Sequence, residues 1–267
     1  MSAALNKTRV LLEVWFAYMS AYRAEIVIWI LNGSLPLIML GIWIGKANAE
    51  DGTVNGFTPS DFAAYFLAAW LTQQFAGAWV SWELDYQIRH GELSPKLLRP
   101  FDVLWEHLAQ HVTERLVRLP FIIIILFIGV LLVPNTQLTP NISHVLIYTL
   151  SVVMAFMIRF LISYCIGLLT FWFEQATALD EMYFVAAAFL TGSFAPLEFY
   201  PPAVRAIIEW TPFPYTIYYP TQLLTGAISG TETLRILTVQ IAWVSIFAIL
   251  RLFLWKHGLR RYGAFGA

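Results

Sequence analysis

A chain of 267 residues in which 59% are hydrophobic, only 12% are charged and the mean hydropathy is +0.66 is not a water-soluble domain, where the charged fraction runs near ~25%. The net charge of −1 lacks the clustered basic excess that a nucleic-acid partner requires. The single cysteine, Cys165, excludes an internal disulfide and sits in an apolar run where it packs as a small hydrophobe.

Residues 2–22 read as an amphipathic helix, with Leu5, Leu12, Phe16 and Met19 on one side and Asn6, Arg9, Glu13 and Ser20 on the other. Such a helix lies in the membrane interface, either as a plain anchor or as a lever against a partner. A first span follows over residues 24–44, interrupted by Asn32, Gly33, Ser34 and Pro36. Pro36 removes a backbone donor, and polar side chains there are costly against lipid, so this face is expected to turn toward protein or a water-filled path. Residues 46–60 form a polar loop. The second span, residues 61–81, carries Thr72, Gln73 and Gln74 near its middle. Counting helical rise places Asn32 and the two glutamines at a similar depth, roughly 12 Å from one membrane face, where they either line one cavity or bond neighbouring helices.

Residues 83–102 are the longest charged stretch and must lie outside the bilayer. Within them Leu93, Leu97 and Leu98 give a short apolar face between Gly91 and Pro100, suited to a helical turn or two that docks on something. Residues 103–118 are mixed and residues 120–133 purely apolar, together a third span with an aqueous extension. A fourth helix, residues 142–172, is too long for the bilayer. It contains Arg159, either a functional charge or one that snorkels to the edge. After an acidic turn at residues 174–181 comes a short fifth apolar stretch, 182–195. The proline-rich segment 196–215 then holds a small helix at 203–210, read as re-entrant or interfacial. Its aromatics, with Tyr218 and Tyr219 beyond it, suit a headgroup belt. The last span is 234–255. Six crossings place both termini with residues 83–102 on the side richer in lysine and arginine, the cytoplasmic one, while Lys46, Arg205 and Arg235 fall opposite.

No spacing supplies a catalytic constellation. His107 and His111 stand one helical turn apart, but a zinc protease motif needs glutamate where Leu108 stands. With Glu114 or Arg159 they remain the site of an alternative reading, a polytopic enzyme acting on lipid or peptide. Gly41 to Ala47 is one residue short of a phosphate loop and lacks its Ser or Thr, so the Gly41/Gly45 pair reads instead as a helix contact.

The order of these features resembles the membrane subunit of an ABC transporter of the type-2 exporter class. IRHGELSPKLLRP (Ile88 to Pro100), FAPLEFYPPAVRAIIEWTPFPY and the closing GLRRYGAFGA carry the likeness to small stand-alone bacterial permeases. The resemblance implies a single permease domain over residues 1–267: an all-α integral membrane fold with six transmembrane helices, the interfacial helix at 2–22 and re-entrant helices before the last span. It implies that residues 88–100 are a coupling helix seated on a separate ATPase. Glu83, Arg89, Glu92 and Arg99 would be the polar contacts, and Leu93, Leu97 and Leu98 the apolar ones. Asn32, Ser34, Gln73, Gln74 and Arg159 are the candidates for the translocation path, and Glu198, Tyr200 and Trp210 for a far-side gate. Two ATPases and a second permease, identical or distinct, complete such an assembly in a bacterial inner membrane. The chain itself then needs no metal or cofactor, ATP and Mg being held by the ATPase.

Overall fold

The computed structural model describes residues 33–50, 52–132, 141–173, 176–228 and 230–262, together with residue 10 and residues 13–17. The interfacial helix expected at 2–22, the first part of the first span and Asn32 therefore lie almost wholly outside the described residues.

The described chain is helical, its one piece of extended pairing being the isolated bridge of Val54 with Phe57. In chain order the helices are α1 (Leu35–Ala49), α2 (Pro59–Ala76), α3 (Val80–Arg89), α4 (Leu93–Leu97), α5 (Val103–Leu132), α6 (Ile142–Leu168), α7 (Ala176–Leu190), α8 (Pro202–Glu209), α9 (Tyr218–Thr225) and α10 (Thr231–Tyr262). Single 3-10 turns follow α6 at Leu169–Phe171 and precede α8 at Leu197–Phe199. Among the described residues three helical stretches are long and apolar enough to cross a membrane: Val103–Leu132, Ile142–Phe171 and Thr231–Tyr262.

α2 is the axis of the bundle. Thr58 and Asp61 close a reciprocal capping box around its first turn, and Pro59 occupies a position where a backbone N–H has no helical partner anyway. From Phe62 to Leu71 its sequence is apolar all round, as suits a helix buried on every side. Phe62, Phe66, Leu67 and Trp70 are fully buried, and Ala63, Ala64, Ala68 and Ala69 let neighbouring backbones come close. α1, α5, α6 and α9 all pack on it.

Two clusters of apolar side chains mark the two ends. At the end where α2 begins, called here the far side, Phe62, Tyr65, Leu197, Tyr215, Tyr218, Tyr219 and Ile236 pack together. At the near side Val80, Leu84, Leu93, Val103, Phe160, Tyr164 and Phe171 do so. Tyr215, Tyr218 and Tyr219 are thus core residues rather than members of a headgroup belt, whereas Trp210, at the end of α8, is 86% exposed.

Other expectations need correction. The second crossing is not one helix ending at Ser81. It breaks at Gly77 and resumes as α3, so the charged run up to Arg89 is a helical continuation of the span. Residues 176–181 are the first turns of α7 rather than an acidic turn. α9 was not foreseen, although Gly226, in the left-handed conformation at φ 76°, is the stop signal that follows it. Positions facing Gly41 and Gly45 are open, with no close helix contact among the described residues. A close approach to a neighbouring helix backbone occurs at Gly167 instead, where a Cβ would lie 2.9 Å from Leu84 Cβ and 3.0 Å from Ser81 Cα. That glycine brings α3 down onto α6, and Ser163 Oγ accepts the Ser81 N–H at 3.0 Å beside it.

Candidate functional site

The break between α2 and α3 is what shapes the interior. Gly77, Ala78 and Trp79 interrupt the ladder, leaving carbonyls at the end of α2 that a membrane interior cannot hydrate. One face of α5, carrying His111, Glu114, Arg115 and Arg118 at helical spacing, supplies the partners. Arg115 donates to the carbonyl of Phe75 at 2.7 Å and also to the carbonyls of Gly77 and His111. His111 Nε2 accepts the Trp79 N–H at 3.3 Å, and its Nδ1 is 2.8 Å from the His107 carbonyl. Glu114 accepts from Trp79 Nε1 at 2.9 Å and pairs with Arg118. His111 and Glu114, read from sequence with His107 as a catalytic alternative, are engaged in holding the kink.

Beside the break lies a cavity of about 590 Å³. Gln73, Gln74 and Arg159, proposed from sequence as a path, all line it, as do Arg115, Arg118 and Glu114 of α5. Trp79, Trp82, Asp180 and Phe184 complete much of the wall. Ser34, at the cap of α1, is half-buried but is not among the lining residues. Asp180 was missed by sequence reading because it stood in what looked like a loop. It accepts from Trp82 Nε1 at 3.0 Å, joining α7 to α3. Arg159 Nε is buried without a hydrogen-bond partner, and the Tyr183 hydroxyl, within its electrostatic reach, is likewise unpartnered.

A second cavity, of about 600 Å³, opens at the far side and is lined by Thr58, Asp61, Tyr65, Glu198 and Gln222 among others. Glu198 Oε1 accepts from Tyr218 at 2.6 Å and from Gln222 Nε2 at 3.0 Å. Tyr200 donates to the Phe189 carbonyl at 2.7 Å. Of the three residues expected at a far-side gate, Glu198 alone is among those lining this cavity. Tyr200 braces α7 and Trp210 projects from α8.

At the near side the charged stretch folds into a rigid strap. Glu106, in the first turn of α5, accepts from Lys96 Nζ at 3.0 Å and from Arg99 Nη1 at 2.7 Å. Asp102 accepts the Leu104 N–H at 2.9 Å and pairs with Arg251 of α10, whose guanidinium lies 5.1 Å from the rings of Tyr164 and Trp255. Ser94 and Tyr262 hydroxyls meet at 3.0 Å. Arg89 pairs with Asp85 at 3.1 Å, and Thr170 donates to the same carboxylate at 2.8 Å.

Within this strap the seven residues read as docking contacts divide. Leu93 is fully buried in the near-side core. Glu83 faces inward, 3.5 Å from His107 Nδ1 and 2.9 Å from Gln87 Nε2. Burial alone would raise its carboxyl, but the adjacent His107 ring, with Lys96 nearby, holds it below the usual carboxylate range. Leu98 is 88% exposed, and Glu92, Leu97 and Arg99 are exposed with it.

Helices of membrane length, a short strapped helix between α3 and α5, and a proline-rich segment ahead of α9 and α10 form a consistent set. A family model described as ABC-2 family transporter protein matches residues 33–266. The chain belongs to the ABC-2 transporter family. A comparison with curated proteins gives no match. Membership makes the chain a multi-pass membrane component of a transporter, and it accounts for the unusual exposure of Ile123, Phe127, Leu131 and Leu132 on α5: they face lipid or another subunit.

Proposed function

We propose that this ABC-2 permease is the membrane half of an ATP-driven exporter and that α4 with its flanks couples it to a separate ATPase subunit. The observation that carries this reading is the strap. Leu97 and Leu98 are presented to solvent on a turn that cannot bend freely, because Lys96 and Arg99 are bound to Glu106 and Leu93 is anchored in the core. A push on such a rigid knob passes directly into α5 and, through Asp102 and Arg251, into α10. Leu97, Leu98, Glu92, Arg89 and Arg99 are the surface offered to the ATPase, while Glu83 and Leu93 are its anchors.

In this reading ATP and Mg are bound by two ATPase subunits, the α4 face is cytoplasmic, both termini lie on that side, and the membrane is a bacterial inner membrane. A second permease, identical or distinct, faces the Gln73, Gln74 and Arg159 cavity to complete the path, with Asn32 and Ser34 contributed from the first span. Segment 196–215 forms the outer, re-entrant end, where Glu198, Tyr200 and Trp210 gate or guide exit. The engagement of His111 on the α2 break weighs against the alternative of a membrane enzyme.

The test is purification of the tagged chain from native membranes in mild detergent, with mass spectrometry of bound proteins and vanadate-sensitive ATP hydrolysis as readouts. The wild type should bring down an ATPase. Leu98→Asp combined with Glu92→Lys should lose it while keeping the unfolding temperature, since exposed substitutions shift stability by only ~0.5 kcal/mol. Retained association and transport in that variant would remove the coupling assignment.

A further inference from the structure

Arg159 sits 17 residues into α6, so about 26 Å from its far-side start at ~1.5 Å per residue, in a membrane whose hydrocarbon is ~30 Å thick. The cavity it lines therefore runs from the depth of Gln73 and Gln74 to just inside the near-side boundary. Trp82, on its wall, is half exposed, and Tyr86 and Trp105 are exposed on the same end of the molecule. Aromatics of this kind sit at the headgroup level. The cavity thus opens where the headgroups of the near leaflet are.

Its charges do not balance. Arg115, Arg118 and Arg159 face Glu114 and Asp180. Glu114 is taken by Arg118 and Trp79. Asp180 accepts from Trp82, a neutral donor, and is the opposite charge within electrostatic reach of Arg159, which leaves two carboxylates against three guanidiniums. Arg115 is bound to backbone carbonyls, which orient it but do not neutralise it. Arg159 forms no ion pair among the described residues, and its buried Nε has no acceptor. A guanidinium cannot shed its proton, so in a poorly hydrated site it demands an anion. Gln73 and Gln74 add amide donors on the opposite wall, and Trp79, Trp82 and Phe184 add apolar surface.

We infer that this cavity binds the anionic headgroup, phosphate or carboxylate, of an amphiphile drawn from the near-side leaflet, with Arg159 as its counter-ion and the tryptophans against its first methylenes. The inference rests on the permease reading for its meaning as cargo recognition, though the binding itself does not.

The chain, purified with whatever ATPase it retains in a neutral detergent, is titrated with dihexanoyl phosphatidic acid, dihexanoyl phosphatidylcholine and inorganic phosphate, following the shift in unfolding temperature to obtain each Kd. Phosphatidic acid should bind about tenfold more tightly than phosphatidylcholine, a preference worth ~1.4 kcal/mol, and inorganic phosphate far more weakly. Arg159→Gln should abolish the preference and Arg159→Lys keep part of it, while Arg235→Gln at the far side leaves it intact. Equal binding of the two lipids by the wild type overturns the inference without any variant, as does a preference that survives Arg159→Gln. Inorganic phosphate binding as tightly as phosphatidic acid replaces the amphiphile with a free anion and overturns it too. Association with an ATPase is scored separately: a chain that retains the ATPase but shows no lipid preference fails this inference alone, and one that shows the preference without any ATPase fails the permease reading alone.

Discussion

At the far side Asp61 and Glu198 face a cavity of about 600 Å³, and both carboxylates are answered locally, Asp61 by the capping box with Thr58 and Glu198 by Tyr218 and Gln222. At the near side a cavity of about 590 Å³ holds three arginines: Arg118 is paired with Glu114, Arg115 is bound to backbone carbonyls, and Arg159 has neither kind of partner among the described residues. The two spaces are alike in size and opposite in how their charges are disposed. In the first, polar groups fasten elements together: removing one breaks the fold. In the second, Arg115 fastens and Arg159 does not, so structural and functional charge can be told apart by substitution.

The largest loss should follow Arg115→Ala. It strips a charged donor from three carbonyls at the α2 break, and buried groups left unpaired cost ~1–3 kcal/mol each, so a fall of about 3 kcal/mol or more is expected in detergent unfolding. Arg115→Lys should recover only part, because one ammonium cannot reproduce the planar fork. Next comes Glu198→Ala, which orphans the Tyr218 hydroxyl and the Gln222 amide; about 2 kcal/mol is expected, with Glu198→Gln clearly milder because its carbonyl still accepts. If Arg115→Ala were the gentler of the two, the α2 break would not be held as described.

A smaller effect is expected from Glu83, and it depends on pH. Its carboxyl is held below its ordinary value of 4.5 in the fold, so ionised Glu83 stabilises the folded state fully above that value, and the contribution fades as pH falls through the lower folded value. The unfolding temperature of the wild type should therefore drop more steeply below about pH 4.5 than that of Glu83→Gln. Parallel profiles would show that His107 and Lys96 do not bias this carboxyl.

The same contrast explains what could be read from residues alone. The run of apolar segments and the short helix at 93–97 follow from periodicity and from Gly and Pro placement, which act locally. Gln73, Gln74 and Arg159 were legible as path candidates because polar groups in apolar helices are conspicuous, and the structure brings them to one cavity. The α2 break was not legible: Gly77 alone does not stop a helix, and the kink exists because Arg115, forty residues on, satisfies the freed carbonyls. For the same reason Glu83 and Leu93 looked like surface contacts. Their inward orientation is set by His107 and by the Gly167 approach of α6, neither of which periodicity around residue 90 can reveal. The tyrosines at 215, 218 and 219 resembled a belt because aromatic composition does not distinguish a headgroup layer from a core.

The smallest effect is the most informative. Arg159→Gln breaks no direct ion pair among the described residues and keeps a polar group near Asp180 and Tyr183, while relieving the cost of a desolvated charge, which in comparable buried sites is neutral or favourable to remove. The variant should unfold within ~0.5 kcal/mol of the wild type or above it, in contrast to Arg115→Ala. A residue whose removal does not weaken the fold, yet which holds a permanent charge near the edge of the hydrocarbon, is retained for what enters the cavity. If Arg159→Gln instead fell as far as Arg115→Ala, Arg159 would be a structural residue like its neighbours, and the difference between the two cavities would reduce to which backbone groups each set of charges holds.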